Sequence, residues 1–484
     1  MRALVLAAVA TALALPSVAG GDTKFLPDDP LAAEQWYLAQ DHAFDAWPDA
    51  LPTLPAVRVG IIDSGIDLGH PEFAGRIALA QSFVGGDVTD AEGHGTFVAG
   101  LIAATANNGV GIAGIAFPAQ LLIAKVVRTD GTIAPEAEAK GIRWAVDNGA
   151  RVINLSLGGL RSHDKQQDTY SRVEQDAIAY AYSKGAVVVA AVGNGDQAPS
   201  SPWPLASYPA ALPHVLGVSA YASDGSVPAF SNRDAVYNDI AAPGVGIVST
   251  LPRDLTADHP SCVDQGYSDC GPPEFRNADG TSYAAAQVSA AAALLVATKP
   301  SLSPDQVMWL LERSATDMSP ATGCAQCEVS RDRFSGWGGL DIAAALKALE
   351  GPLPPRDHYE GNDDAGDEAF SLYGRAIDIH ATLDYWDDQI DVYRVKLLKG
   401  QTVAVSLQGP PHTDTNVILW RPGTLQVEGL SAKLQARRVT LSARAGPNEH
   451  FIHRAREEGW YYIELKLTTP SGGQYHLHIS KSPV

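Results

Sequence analysis

Short apolar runs alternate with amphipathic stretches from about residue 57 to residue 220. The runs are rich in Val, Ile and Leu, as strands covered on both faces of a parallel sheet are. The stretches between them have helical periodicity. We therefore predict an α/β domain in which helices flank a parallel sheet, with ligands bound beyond the carboxyl ends of its strands. The predicted strands are Val57–Ile62, Leu121–Val127, Arg151–Leu155, Ala186–Ala191 and His214–Val218, and the predicted helices are Pro135–Asn148, Arg172–Lys184, 304–313 and 341–349.

The pattern changes after residue 350. Pro-rich residues 351–355 and the acidic residues that follow predict a linker over 351–368. Beyond it, five segments alternate apolar and polar residues with period two, which is typical of half-buried strands. They predict an all-β sandwich over 369–484. The five segments read VYRVKL, TVAVSL, NVILW, WYYIELKL and YHLHIS.

The N-terminus has the pattern of a secretory signal. Arg2 precedes an apolar run that ends at Leu15, and small residues follow up to Gly20. The run is too short to span a bilayer, and we find no later segment long and apolar enough to anchor the chain. We predict a signal peptide over 1–20, an α/β domain over 21–350 and a secreted protein. A buried N-terminal helix is the alternative.

Composition and charge narrow the class of protein. The 484 residues are 45% hydrophobic, which excludes a disordered chain. The 35 basic and 55 acidic residues give a net charge of −20. This charge argues against nucleic acid and anionic membranes as partners. The sequence does not indicate an oligomeric state, and we assume a monomer.

Four cysteines occur, Cys262, Cys270, Cys324 and Cys327. In an exported protein disulfides are the default, and four cysteines allow three pairings. We favour Cys262 with Cys270 and Cys324 with Cys327, because each pair closes a short loop. The alternatives are a redox site at the CxxC sequence and a four-cysteine zinc site.

Three motifs lie at the ends of predicted elements. Asp63 ends a buried strand in VGIIDSGID, His94 opens a helix in GHGTFVAG, and Ser282 opens an Ala-rich helix in DGTSYAAAQVS. Taken singly, a turn-capping aspartate, a structural histidine and a helix N-cap explain them. Taken together, they supply a nucleophile, a base and a carboxylate that orients the base.

With these motifs in this order, the chain from about Asp28 to Leu349 resembles the subtilisin-like serine proteases, or subtilases, and within them the thermitase-like branch. The resemblance implies a secreted serine endopeptidase that hydrolyses polypeptides through an acyl-enzyme. Ser282 would be the nucleophile, His94 the general base and Asp63 the residue that orients it. Asn194, in VVVAAVGNG, falls on the position whose side-chain amide stabilises the oxyanion.

The resemblance also implies the substrate contacts and a calcium site. No charged residue occurs at the substrate positions, so we predict a roomy, mostly apolar S1 pocket. The S1 positions are Ser156, Leu157, Gly158, Ala191, Val192, Gly193 and Ser207, and the opposite peptide-pairing strand is Gly131, Thr132 and Ile133. The implied calcium (Ca²⁺) ligands are Asp29, Glu72, Thr105, Asn108, Val110 and Ile112. Solvated acids around a turn are the alternative.

The chain departs from the family pattern beside the catalytic motifs. Tyr283, Ala286 and Gln287 stand where Met, Pro and His are usual, and Phe97 replaces a second, non-catalytic His. We expect altered packing without lost chemistry. Two segments, 161–175 and 252–277, are longer than the family core requires, and the second could cover the cleft.

The C-terminal sandwich resembles the prepeptidase C-terminal (PPC) domain. We expect the acidic residues of this part to lie in solvated turns, and binding of calcium or a glycan is the alternative. These residues are Asp363, Asp364, Asp387, Asp388 and Asp391. Cleavage between Pro352 and Glu368 during maturation is a hypothesis. Two other functions stay open: peptide ligation or macrocyclisation on the same fold, which needs an acyl-enzyme shielded from water, and an inert binding or adhesion protein.

Overall fold

The helices and strands of the N-terminal part form one α/β unit. The computed structural model describes residues 25–195, 198–255, 275–353, 358–385, 388–427 and 432–483. The helices are α1 (Trp36–Gln40), α2 (His94–Ala103), α3 (Pro135–Asp147), α4 (Arg172–Ser183), α5 (Thr281–Thr298), α6 (Pro304–Arg313) and α7 (Ile342–Ala348). The strands are β1 (Val57–Asp63), β2 (Ile77–Ser82), β3 (Ala119–Lys125), β4 (Val152–Leu155), β5 (Val187–Ala191), β6 (Val215–Tyr221), β7 (Ile240–Pro243), β8 (Ile247–Thr250) and β9 (Phe275–Ala278).

Seven of these strands form a parallel sheet in the order β2-β3-β1-β4-β5-β6-β7. Strands β8 and β9 form a separate antiparallel pair. In the large sheet β1 lies between β3 and β4, and β5 follows β4. The carboxyl ends of β1, β4 and β5 therefore meet at one edge, which confirms the predicted α/β fold class.

Helices cover both faces of the sheet. Helices α3 and α4 pack over one face, where Ile62 and Ile153 are fully buried with Ile178. Helices α2 and α5 cover the other face. Helix α5 is long and apolar enough to cross a membrane, contrary to our expectation, but 89% of it is buried inside the protein. Its many alanines let it lie close to the strands as a core helix.

The C-terminal part is all-β, as predicted. Its strands are β10 (Phe370–Leu372), β11 (Ala376–Asp384), β12 (Ile390–Leu397), β13 (Thr402–Gln408), β14 (Thr415–Trp420), β15 (Arg438–Ser442), β16 (Asn448–Arg454), β17 (Gly459–Leu467) and β18 (Gly472–Lys481), with a short helix α8 (Ala432–Gln435). They form a five-stranded sheet, β10-β12-β17-β14-β15, and a four-stranded sheet, β11-β18-β13-β16. Side chains from both sheets share one apolar core.

The acidic segment after residue 358 packs against the α/β part. Gln175 of α4 donates to Asp364 at 2.8 Å and to Glu368 at 3.1 Å. His214 Nδ1 lies 3.1 Å from Asp363 Oδ2. Asp364 is only 2% exposed, and burial raises its pKa to about 6. The expectation of solvated turns is therefore wrong for this residue.

Of the other acidic residues of this part, one is buried and three lie close together. Asp391 is buried and accepts a hydrogen bond from Tyr475 at 2.5 Å, so it is not solvated either. Carboxylate oxygens of Glu360, Asp363 and Asp388 lie within 4.8 Å of one another. Asp387 lies outside the described residues.

One of the two favoured disulfides is present. Cys324 and Cys327 are bonded to each other, and both are buried, so they are not available as ligands of a four-cysteine zinc site. Cys262 and Cys270 lie outside the described residues, as do the predicted signal peptide and most of segment 252–277.

Candidate active site

Asp63 and His94 form the first half of the site. Asp63 is the last residue of β1 and is 1% exposed. Its Oδ1 accepts a hydrogen bond from the backbone N–H of Ser64 at 2.7 Å and lies 2.8 Å from His94 Nδ1. A carboxylate at this distance fixes the tautomer in which Nδ1 carries the proton. His94 Nε2 is then an acceptor.

A second aspartate, Asp90, fixes the start of helix α2. Its carboxylate accepts hydrogen bonds from the N–H groups of Gly93 and Thr96, both at 2.8 Å, and from the Ser64 hydroxyl at 2.8 Å. Gly93 has φ of 92°, which favours glycine. Asp90 thereby holds His94, the first residue of the helix, in place. The sequence analysis missed this residue, although an aspartate just before a helix is a capping signal.

The electrostatic surroundings raise the pKa of His94. Burial by itself would lower the pKa, because it disfavours the imidazolium. The charge and the hydrogen bond of Asp63, together with the negative charges of Asp90 and Glu92, outweigh burial. The net direction is upward from the ordinary value, so the site stabilises a protonated His94.

Ser282 is the second residue of α5, after the N-cap Gly280 and the first helical residue Thr281. Its hydroxyl donates to the carbonyl of Ser156 at 3.0 Å. The neighbouring Tyr283 ring lies 5.8 Å from the His94 ring, since α2 and α5 pack together. The start of α5, where Ser282 lies, is therefore close to His94. A rotation about χ1 would redirect the Ser282 hydroxyl, and catalytic hydrogen bonds are often formed only when substrate is bound.

Asn194 follows β5 and has a defined amide orientation. Its Oδ1 accepts hydrogen bonds from the backbone N–H of Thr281 at 2.9 Å and from the Thr281 hydroxyl at 2.8 Å. A backbone N–H can only donate, so the atom that faces Thr281 is the amide oxygen. The NH₂ group, Nδ2, therefore points away from Thr281. Asn194 lines the same pocket as Ser282. The site thus holds an N–H donor beside the serine.

The predicted S1 residues surround this pocket. Six of the seven line it, namely Ser156, Leu157, Gly158, Ala191, Gly193 and Ser207. A side chain at Gly193 would collide with Ser207 and Asn232, so glycine keeps the pocket open. None of the described lining residues is charged.

Val192 is the predicted S1 residue that does not line the described pocket. Its side chain is fully buried in the apolar core between the sheet and α4. Its N–H donates to Val218 at 3.0 Å, and its carbonyl accepts from Ser207 at 2.8 Å. Side chains alternate along a strand, so Val192 points away when its neighbours face the pocket.

The sequence analysis also missed Asn232, which lines the pocket. Its Nδ2 donates to the carbonyl of Val192 at 2.9 Å and to the Ser207 hydroxyl at 3.1 Å. Its Oδ1 is buried without a hydrogen-bond partner. No motif marks this residue, because it reaches the pocket from a distant loop.

Two backbone edges border the cleft. Residues 131–133 form one edge, where Thr132 accepts from the N–H of Arg128 at 2.9 Å. Residues 157–159 form the other, where Gly159 exchanges hydrogen bonds with Tyr208, both at 2.9 Å. Both edges line a second pocket beyond S1. An extended peptide lying between two such edges can pair with their backbone groups.

The predicted calcium residues come together at one loop. Asp29 accepts from the N–H groups of Asn107 at 2.7 Å and Asn108 at 3.0 Å. Glu72 is fully buried, and its Oε1 accepts from the N–H of Ile112 at 3.0 Å. The other oxygen, Oε2, is buried without a hydrogen-bond partner. Such an orphaned carboxylate oxygen suits a hard cation.

The other predicted calcium ligands lie around the same two carboxylates. Thr105 donates from its N–H and its hydroxyl to the carbonyl of Glu72, at 3.1 Å and 2.9 Å. Burial, together with the charge of Asp29, raises the pKa of Glu72 to about 7. The Val110 side chain is exposed, so only its backbone carbonyl could contribute.

The residues that depart from the family pattern fill space beside His94 and Ser282. The Tyr283 ring packs on the Phe97 ring at 4.4 Å. Gln287 donates to the carbonyls of Pro243 at 2.6 Å and Tyr283 at 2.9 Å. These contacts change the packing between α2 and α5 and leave Asp63 and His94 hydrogen-bonded.

Comparisons with known proteins agree with this geometry. The model of the subtilase family matches residues 55–338. Thermitase from Thermoactinomyces vulgaris is 37% identical over 237 residues, which make up 48% of this chain and 78% of thermitase. Subtilisin DY from Bacillus licheniformis is 35% identical over 264 residues, 54% of this chain and 84% of that protein. A solved structure described as proteases from Pseudoalteromonas arctica matches with a TM-score of 0.54 and 28% identity, covering 67% of this chain and 99% of its own.

Proposed function

Because the chain belongs to the subtilase family and is a serine endopeptidase, we propose that Asp63, His94 and Ser282 are its catalytic triad. The observation that carries this assignment is the 2.8 Å contact between Asp63 Oδ1 and His94 Nδ1 beside the start of α5. It leaves Nε2 free to take the serine proton.

The proposed reaction proceeds through an acyl-enzyme. His94 takes the proton from Ser282 as its oxygen attacks the scissile carbonyl, and then gives that proton to the leaving amine. Water repeats the sequence and releases the acid product. Asn194 Nδ2 and the helix N-terminus at Ser282 would stabilise the negative oxygen of each tetrahedral intermediate.

Labelling with a fluorophosphonate tests the nucleophile. The full chain should form a covalent adduct at Ser282, located by mass spectrometry of peptides. An adduct at another serine, or none in a folded and peptide-cleaving sample, would contradict the assignment.

The pH dependence should follow the raised pKa of His94. The base must be neutral, so kcat/KM for a peptide is lost as pH falls through this pKa. Glu92→Gln removes one of the charges that raise it, so the acid limb should move to lower pH by roughly half a unit. The exposed Glu136→Gln is the control. Superimposable profiles for Glu92→Gln and the parent protein would show that Glu92 has no such effect.

We also propose that the P1 residue of the substrate is apolar. The described pocket wall has no charge, and Gly158 and Gly193 leave it open. A peptide library should be cut mainly after residues such as Phe, Leu and Met, as read by mass spectrometry. Cleavage mainly after Lys or Arg would refute this.

We propose a structural calcium ion held by Asp29, Glu72 and Asn108 with the backbone carbonyls of Thr105, Val110 and Ile112. Binding at a hundredfold excess over Kd would stabilise the fold by roughly 2.7 kcal/mol. The melting temperature should therefore fall by roughly 5 °C in EDTA and recover when calcium is added. Glu72→Gln should abolish this response, whereas the exposed Glu34→Gln should keep it. An unchanged melting temperature in EDTA would exclude the site.

We propose secretion and a three-part organisation. The N-terminal leader pattern and the Cys324–Cys327 disulfide support export. We assign 21–350 to the peptidase domain, 351–368 to a connecting segment, and 369–484 to a PPC-like sandwich.

A further inference from the structure

A pocket lies between the two peptide-pairing edges, beyond S1. Its walls are residues 131–133 and 157–159, with Tyr208 at one side. It shares Leu157 and Gly158 with the S1 pocket, and Ser282 is not among its lining residues. The side chain of a substrate residue N-terminal to P1 would enter this pocket.

Two glutamates line the buried end of this pocket. Glu138 is 4% exposed and Glu174 is 6% exposed. Each lies in the first turn of its helix, α3 or α4 respectively, where the helix dipole favours a negative charge. The two carboxyl groups are hydrogen-bonded to each other, which requires a shared proton. Glu138 Oε1 is buried and has no hydrogen-bond partner.

This pair of carboxyl groups can hold a negative charge in the pocket, and Glu174 is the group that ionises near neutral pH. Burial raises the pKa of both carboxyl groups, that of Glu174 to about 7; Glu174 raises the pKa of Glu138 further, whereas the hydrogen bond from Glu138 lowers that of Glu174. A carboxyl pair that shares one proton retains a single charge. Buried charges of this kind are costly unless a cation or hydrogen-bond donors meet them.

The basic residue behind the pocket does not supply that cation. Arg161 interacts with Tyr208 but is paired with Asp234 at 2.9 Å. Asp168 adds further negative potential near Tyr208. In contrast, the described wall of S1 is uncharged. The second pocket is therefore the acidic one of the two.

We infer that the peptidase selects polypeptides with a lysine or arginine side chain placed in this second pocket, where Glu138 and Glu174 receive the cationic group. The aliphatic stem would lie along Ile133 and Leu157, and the charged end would donate hydrogen bonds to the carboxyl groups of Glu138 and Glu174. The inference rests on the proposed function and adds a second, charge-based requirement to the apolar P1 preference.

Matched peptides test the inference with the full chain. Each peptide has Phe at P1 and carries either lysine or the uncharged, similar-sized norleucine at P2, P3 or P4, and kcat/KM is measured for each. We expect lysine to be favoured roughly tenfold at one of these positions, since a single charged contact is worth about that factor. The ratio of lysine to norleucine is the readout, because it cancels losses common to both peptides.

Variants assign the preference to the carboxyl pair. Glu138→Gln or Glu174→Gln alone leaves one carboxylate and should keep most of the ratio. The double variant removes the charge with little change in shape and should bring the ratio to about one. Glu136→Gln, exposed on the same helix, should keep the parent ratio.

The outcomes separate this inference from the proposed function. A parent ratio near one at all three positions overturns the inference, even if the double variant does not fold. A ratio that survives the double variant overturns the assignment to these glutamates. If the parent protein cleaves none of the peptides and takes no fluorophosphonate, the proposed function itself has failed.

Discussion

Asp63→Asn is expected to lower kcat by about 10⁴-fold with little effect on KM. Asp63 Oδ1 serves both Ser64 and His94, and its carboxylate charge is what raises the pKa of His94. An amide keeps the shape but removes the charge that stabilises the imidazolium as Ser282 is deprotonated. If its NH₂ group turns toward His94, it also selects the tautomer with the proton on Nε2, which cannot act as a base.

The measurement is steady-state hydrolysis of a peptide by the full chain. Asp87→Asn is the matched control, because Asp87 is an exposed aspartate on the loop between β2 and α2. The melting temperature establishes that the variant is folded. A loss of less than tenfold would mean that Asp63 does not orient the catalytic base.

Ser282→Ala should abolish covalent catalysis, with kcat reduced by about 10⁶-fold. Alanine is a good helix former and Ser282 lies inside α5 rather than at its N-cap, so the helix should persist. The variant loses one hydrogen bond, from the Ser282 hydroxyl to Ser156. Its stability should therefore fall by only about 1 kcal/mol.

Ser183→Ala, an exposed serine near the end of α4, is the control. Peptide binding gives a second readout. Ser282→Ala should bind an uncleaved substrate with an affinity close to the KM of the parent protein. Cleavage by Ser282→Ala at more than one hundredth of the parent rate would place the nucleophile elsewhere.

The sequence predicts those strands that are buried on both faces, because burial makes them continuous apolar runs. The central strands β1, β3, β4, β5 and β6 are continuous apolar runs, so they were found within a few residues of their bounds. Strands β2 and β7 were missed. Strand β2 is a half-exposed edge strand with an irregular register, so it does not show the pattern of a strand covered on both faces. Strand β7 is buried, but it is short and ends in Pro243, a residue that argues against a strand.

The same distinction applies to the candidate site. Asp63, His94 and Ser282 lie in contiguous motifs at the ends of elements and could be identified from sequence. Asn232 and the Glu138–Glu174 pair could not, because distant segments bring them together only in the folded chain. A helix pattern shows that Glu138 lies in α3, but it does not show which carboxyl group from α4 will meet it.

The packed acidic segment bears on how the chain could be processed. Gln175 holds both Asp364 and Glu368, and Arg172 donates to the carbonyl of Leu425 at 2.7 Å. Arg313 and Asp384 add a further contact at 3.1 Å. A cut just after Pro352 would leave all of these contacts in place. Cleavage of the peptide bond and dissociation of the C-terminal sandwich would then be two separate events. The two parts of a cleaved protein would stay associated until these non-covalent contacts were broken.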